Sequence, residues 1–225
     1  PYNPVQTGNL YYPHYTYDSY GLFVQDTLAY LCLGADGIAI IDISNPYEPV
    51  ELCQYNYFVH QNSSDIRIVG DVAFIADIHG LFYVDISNPL HPALLGHIDE
   101  YDDGVHIPFP VTNIRIHVQD GYAYLYSPYC GCFIVDIRDI EDIHIISKLP
   151  SITFVSQVRI KNNYLYCLSR GIIVIYDITS PDEPLELTSI ILPNNHLMMN
   201  IHEDYLYLSG RCSSGIAVYD LTDPL

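Results

Sequence analysis

The residues best placed to do chemistry are three arginines. Arg67, Arg115 and Arg159 are read at one position counted back from a following turn, with Gly21 and Asn200 at that position in two further copies. Two residues earlier the same reading gives Asp65, Asn113 and Gln157, and Ser19 and Met198 in the outer copies. Apolar residues alternate with this row, so the row shares one face of a strand. A guanidinium grips carboxylate or phosphate through a planar fork of N–H donors. Arg67, Arg115, Arg159, Asp65, Asn113, Gln157 and Asn200 therefore form a candidate anion site. The competing explanation is structural: half-buried arginines need partners, and Asp65 with other carboxylates would serve.

A second set carries metal-ligand types. His14, His60, His106 and His196 lie in connecting segments, and Asp102 and Asp103 sit in the longest of these. Imidazole and carboxylate hold divalent cations, so Ca²⁺ or another divalent metal is the cofactor these residues would take. No EF-hand spacing is present, and histidines on separate connectors are ordinarily polar surface groups. A third set is Asp42, Asp85, Asp136, Asp177 and Asp220, one per copy. Five equal carboxylates suit a structural corner, where a short acceptor bonds turn amides, better than one active site. No nucleophile elbow, zinc-protease, phosphate-loop or dinucleotide motif occurs. Asp65 and Asp18 leave glycoside hydrolysis as a weak alternative. The expectation is a protein that is not an enzyme.

The elements that position these residues repeat. Ile41-Asp42-Ile43-Ser44-Asn45-Pro46 returns as Val84-Asp85-Ile86-Ser87-Asn88-Pro89, Val135-Asp136-Ile137-Arg138-Asp139, Tyr176-Asp177-Ile178-Thr179-Ser180-Pro181 and Tyr219-Asp220-Leu221-Thr222-Asp223-Pro224. The Asp residues fall 43, 51, 41 and 43 apart, a period that marks propeller blades. Upstream of each phrase lies an apolar run such as Ala29-Tyr30-Leu31 or Leu165-Tyr166-Cys167, preceded by a short polar turn: Gln25-Asp26, Gly70-Asp71, Asp120-Gly121, Asn162-Asn163 or Glu203-Asp204. Each copy reads as strand, tight turn, strand, loop, strand ending in Asp, Pro-rich corner and outer strand. Pro1-Tyr2-Asn3-Pro4-Val5-Gln6 matches Pro46-Tyr47-Glu48-Pro49-Val50-Glu51, an outer strand, while the fifth copy lacks one. The expected fold is all-β: a single five-bladed β-propeller domain over residues 1–225, of four-stranded antiparallel blades, with residues 1–12 completing blade five. Such closure removes an exposed sheet edge. The three arginines would then line the axial channel.

The phrases Gly37-Ile38-Ala39-Ile40-Ile41-Asp42-Ile43-Ser44-Asn45-Pro46 and Gly80-Leu81-Phe82-Tyr83-Val84-Asp85-Ile86-Ser87-Asn88-Pro89 resemble the LVIVD repeat. Copy three departs, with Arg138-Asp139-Ile140-Glu141 at the corner. The resemblance implies a propeller and an extracellular or cell-surface setting in a bacterium or archaeon; it implies no activity. A protein or glycan partner, or self-assembly, follows as the expected role.

Composition narrows the classes. Acidic residues number 27 against 8 basic ones, for a net charge of −19. Phosphate backbones need a basic footprint, so nucleic acid is excluded as a partner, and anionic membrane is disfavoured likewise. No apolar run reaches membrane-spanning length. Of six cysteines, Cys32, Cys53 and Cys167 read as small core residues, and Cys130, Cys132 and Cys212 as more available loop thiols.

Overall fold

Alternation of apolar and polar residues, punctuated by two-residue turns, builds the described residues largely from antiparallel hairpins. The computed structural model describes residues 3–11, 21–58, 62–98, 114–192, 196–210 and 215–222, with backbone alone at 196 and 197. The chain divides into two units, residues 1–99 and 100–225. Among the described residues every element is a strand.

The first unit holds two four-stranded sheets. One consists of β1 (Leu22–Gln25), β2 (Leu28–Cys32), β3 (Ile38–Asp42) and β4 (Val50–Tyr55) in that order. The other runs β5 (Ser63–Val69), β6 (Val72–Asp77), β7 (Gly80–Asp85) and β8 (Ala93–Ile98). The second unit holds three. The third sheet is β9 (Arg115–Gln119), β10 (Tyr122–Ser127), β11 (Gly131–Asp136) and β12 (His144–Lys148). The fourth is β13 (Gln157–Lys161), β14 (Tyr164–Ser169), β15 (Ile172–Asp177) and β16 (Leu185–Ile191). The fifth has three strands among the described residues: β17 (His196–His202), β18 (Tyr205–Gly210) and β19 (Ile216–Asp220).

Each inner hairpin turns on two residues. Asp26, Gly70, Asp120, Asn162 and Glu203 open these turns with φ between 50° and 57°, the left-handed region. Asp, Asn and Gly tolerate it best, and it matches the twist of the flanking strands. The first turn is Asp26-Thr27, one residue later than the sequence suggests. In the first four sheets the pairing of third and fourth strands slips at one place, one or two residues before the repeated Asp: after Ile40, Tyr83, Ile134 and Ile175. Such bulges bend and twist the outer strand.

Within each unit the sheets pack face to face. Tyr30, Ile38 and Ile40 of the first sheet meet Ile66, Ile75 and Phe82 of the second. In the second unit Tyr124 and Ile134 pack with Leu165, Val174 and Tyr176. Tyr166, Ile173 and Ile175, on the other face of the fourth sheet, pack with Met199, Leu206 and Leu208 of the fifth.

The expected N-terminal outer strand is not formed among the described residues. Residues 3–11 contain no strand, Val5 is exposed, and β19 has β18 as its strand partner. The segment lies instead along the corner after β3, where Thr7 Oγ1 donates to the Pro46 carbonyl at 3.4 Å. A Cβ on Gly8 would stand 2.3 Å from that carbonyl oxygen, so only glycine fits the approach.

Candidate functional site

The repeated aspartates are corner pieces. Asp42 Oδ1 accepts from the Ser44 amide at 2.8 Å, Asp85 from Ser87 at 2.8 Å, Asp136 from Arg138 at 3.0 Å, Asp177 from Thr179 at 2.8 Å and Asp220 from Thr222 at 2.9 Å. These bonds favour the charged form. The Ser44 and Thr179 hydroxyls and amides hold Asp42 and Asp177 below the usual carboxylate range, and the Ser87 and Thr222 amides act first on Asp85 and Asp220. In the third repeat the Arg138 side chain is the main cause of the lowering at Asp136. Its Nε reaches Asp136 Oδ1 at 2.9 Å and Oδ2 at 3.1 Å, and its guanidinium covers the Tyr122 ring at 4.9 Å. The departure from the Asn-Pro corner is thus offset by an ion pair.

The arginine row needs correcting. Arg67 lies opposite Phe74, Arg159 opposite Tyr166 and Asn200 opposite Tyr207, which makes these three equivalent. Arg115 lies opposite Tyr126, and His117, opposite Tyr124, takes the equivalent place. The turn at Asp120-Gly121 ends β9 at Gln119, so Arg115 is two residues farther from its turn than Arg67 and Arg159 are from theirs. Arg115 thereby shares its position with Gln157. His117 was missed; counting back from the turn finds it.

In the first unit Asp65 is nearly buried and accepts from Arg67 Nη1 at 2.8 Å, while the same nitrogen reaches the Ile66 carbonyl at 2.6 Å. Arg67 folds back along its own strand as an ion pair. In the second unit the row bridges sheets. Gln157 Oε1 accepts from the Met199 amide, and its Nε2 lies 3.4 Å from Met198 Sδ. Arg159 donates from Nη1 to the Val158 carbonyl at 2.8 Å and from Nε to Asn200 Oδ1 at 3.4 Å. Next to it a pocket of about 390 Å³ opens, lined by Arg159, Met198, Asn200, Tyr207, Ser209 and Ile216 among others.

Asn113, His14, His60, His106, Asp102 and Asp103 lie outside the described residues, as does Cys212. His196 stands in β17 opposite Gly210. Among the described residues no group of three His, Cys, Asp or Glu side chains could hold a metal ion. The cysteine ranking is overturned for two thiols: Cys130 is 5% exposed and Cys132 fully buried in β11, whereas Cys53 in β4 is half-buried. Burial pushes the Cys130 and Cys132 thiols up, away from the reactive thiolate.

A buried carboxylate that the sequence reading left unassigned is Asp77, fully enclosed at the end of β6. Its Oδ2 accepts from Tyr57 Oη at 2.8 Å and the Asn62 amide at 2.7 Å, and Oδ1 from the His79 amide at 2.9 Å. Ser127 and Ser169 end the equivalent strands β10 and β14. Asp77 fastens the segment leading into β5 and offers no free face for catalysis.

Repeated four-stranded antiparallel sheets with capped corners define a β-propeller class of repeat protein. The LVIVD repeat model matches residues 20–57 and 61–100, so that part of the chain carries two LVIVD repeats. No curated protein matches the sequence. Among solved structures it is similar to the computationally designed Ika8 protein, at 12% identity and TM-score 0.68, over 90% of this chain and 58% of that one. It is similar to the Cps50 (Swd1) β-propeller domain of Myceliophteria thermophila, at 12% identity and TM-score 0.67, over 87% and 66%. A chain of a nidogen/laminin complex matches at 11% identity and TM-score 0.57, over 90% and 76%. At such identities the likeness is one of fold.

Proposed function

We propose that the chain is a non-enzymatic repeat module of the cell exterior or cell surface that binds a protein or glycan partner, or packs into an assembly. One observation carries this reading: the aspartate that recurs in every repeat accepts from a turn amide two residues on, so the repeated carboxylates build corners and not a reaction centre.

The corner aspartates support a role without catalysis, because all five are committed to turn amides. The exterior setting rests on the LVIVD resemblance. A net charge of −19 argues against nucleic acid and anionic membrane. The reading includes a five-bladed ring in which residues 1–12 add the missing strand beside β19. Its support is the match between residues 1–6 and the segment that leads into β4, and that β19 has β18 alone as a strand partner among the described residues.

The test is a panel of glycans and surface proteins probed with the purified chain, alongside hydrolase assays. Saturable binding to a member of the panel, without turnover, is expected. Turnover abolished by substituting a carboxylate would contradict the reading.

A further inference from the structure

We propose that the turn end of the third and fourth sheets takes a glycan end that bears one acidic sugar. Arg170 grips the carboxylate and Tyr129 the sugar ring; this rests on the chain being a binding module. The backbone gives the first sign. Among the described residues, six residues other than glycine stand at positive φ. Four of them, Asp26, Asp120, Asn162 and Glu203, open inner hairpins. The other two are Ser151 at 61° and Arg170 at 34°. Arg170 stands with Gly171, at 86°, in the two-residue turn between β14 and β15. Such a turn favours Asn or Gly, and a bulky side chain in it holds the backbone under strain. Strain of this kind clusters at ligand clamps and active sites.

The side chain gives the second sign. Arg170 is exposed, and its guanidinium lies over the Phe154 ring at 4.6 Å. Among the described residues that ring is its one partner, whereas Arg67, Arg138 and Lys161 are held by Asp65, Asp136 and Asp204. Stacking fixes the plane of the fork, and its N–H donors match the two oxygens of a carboxylate.

The segments that carry the rings are fastened together. Ser127 Oγ accepts from the Tyr129 amide at 3.1 Å, and the Ser127 carbonyl from the Val155 amide at 3.2 Å. The Leu168 carbonyl accepts from the Ser156 amide at 2.9 Å and from its hydroxyl at 3.0 Å. Tyr129 and Phe154 thus sit on one anchored rim, at the end of the sheets where Arg170 turns. Tyr129 is 65% exposed. Its ring offers an apolar face to the C–H side of a sugar and a hydroxyl at its edge. The chain's charge of −19 repels dense anions, so a single carboxylate on an otherwise neutral glycan is favoured over phosphate or sulfate.

The experiment is an NMR titration of the full chain with cellobiouronate, a glucuronosyl-glucose. Cellobiose is the uncharged counterpart, and N-acetylglutamate a carboxylate without a sugar. Saturable shifts at residues 129, 151–154 and 170 are expected, with at least tenfold weaker binding of both controls. Arg170→Asn should abolish the binding yet melt no lower than the parent, because asparagine suits the left-handed turn. Should that variant fail to fold, Arg170→Lys keeps the charge without the fork and should weaken binding at least threefold. Lys161→Gln, an equal loss of charge at the opposite end of the fourth sheet, should leave it unchanged. Either control binding as tightly as cellobiouronate, or binding indifferent to both Arg170 variants, overturns the proposal. Absence of cellobiouronate binding overturns it too. The broader reading then survives if the chain still binds a member of the panel without turnover, and falls as well if it binds none.

Discussion

Arg159 on β13 and Asn200 on β17 occupy one position in consecutive repeats, and the first donates to the second across neighbouring sheets at 3.4 Å. The pair leaves a positive charge without a counter-ion among the described residues. Asn200→Asp should therefore stabilise the fold slightly, by up to about 1 kcal/mol for so exposed a pair. Thermal unfolding at low and high salt checks this: the gain should shrink as salt rises. A loss of stability at low salt would show that Arg159 is already neutralised.

The corner aspartates give a graded series. Asp85→Ala and Asp177→Ala each remove an acceptor from an exposed turn amide and should lower the denaturant midpoint slightly. Asp136→Ala should cost more, because Arg138 then loses its fork and its fixed place over Tyr122. Denaturant midpoints of the three variants test the order.

Acid should unfold the protein through the same groups. Asp42, Asp85, Asp136, Asp177 and Asp220 have folded pKa values below those of the unfolded chain. Their contribution is present above an unfolded carboxylate value of about 3.9 and disappears as pH falls through the lower folded values. Stability measured by urea melts should be flat in this respect from pH 7 to about 5 and decline below about pH 4. Replacing the five with Asn should flatten that decline.

Asp77 predicts a larger single effect. Asp77→Ala strips acceptors from the Tyr57 hydroxyl and from the Asn62 and His79 amides at a fully buried point. Leaving such donors unpaired should cost roughly 2–4 kcal/mol. Asp77→Ser restores the residue type of β10 and β14 and should recover part of it. A loss below about 1 kcal/mol in the alanine variant would mean that water or a neighbour takes over.

The blade repeat was legible because its punctuation is chemical: left-handed turn residues, a corner Asp and a Pro-rich bend recur around alternating strands. Positions measured from a turn were legible only as far as the turn was placed, which is why Arg115 was set where His117 stands. The burial of Cys130 and Cys132 was not legible, since a thiol near a loop looks alike whether or not a strand closes over it. The anchoring role of Asp77 was not legible because a lone carboxylate in place of serine carries no repeat signal.

The proposed reading makes the fifth sheet a propeller blade whose outer strand is supplied by residues 1–12. Hydrogen exchange along β19 tests this most directly. Amides of residues 216–220 that are not bonded to β18 should exchange slowly in the full chain and at least tenfold faster in a chain beginning at residue 13. Equal, rapid exchange in both would contradict the account.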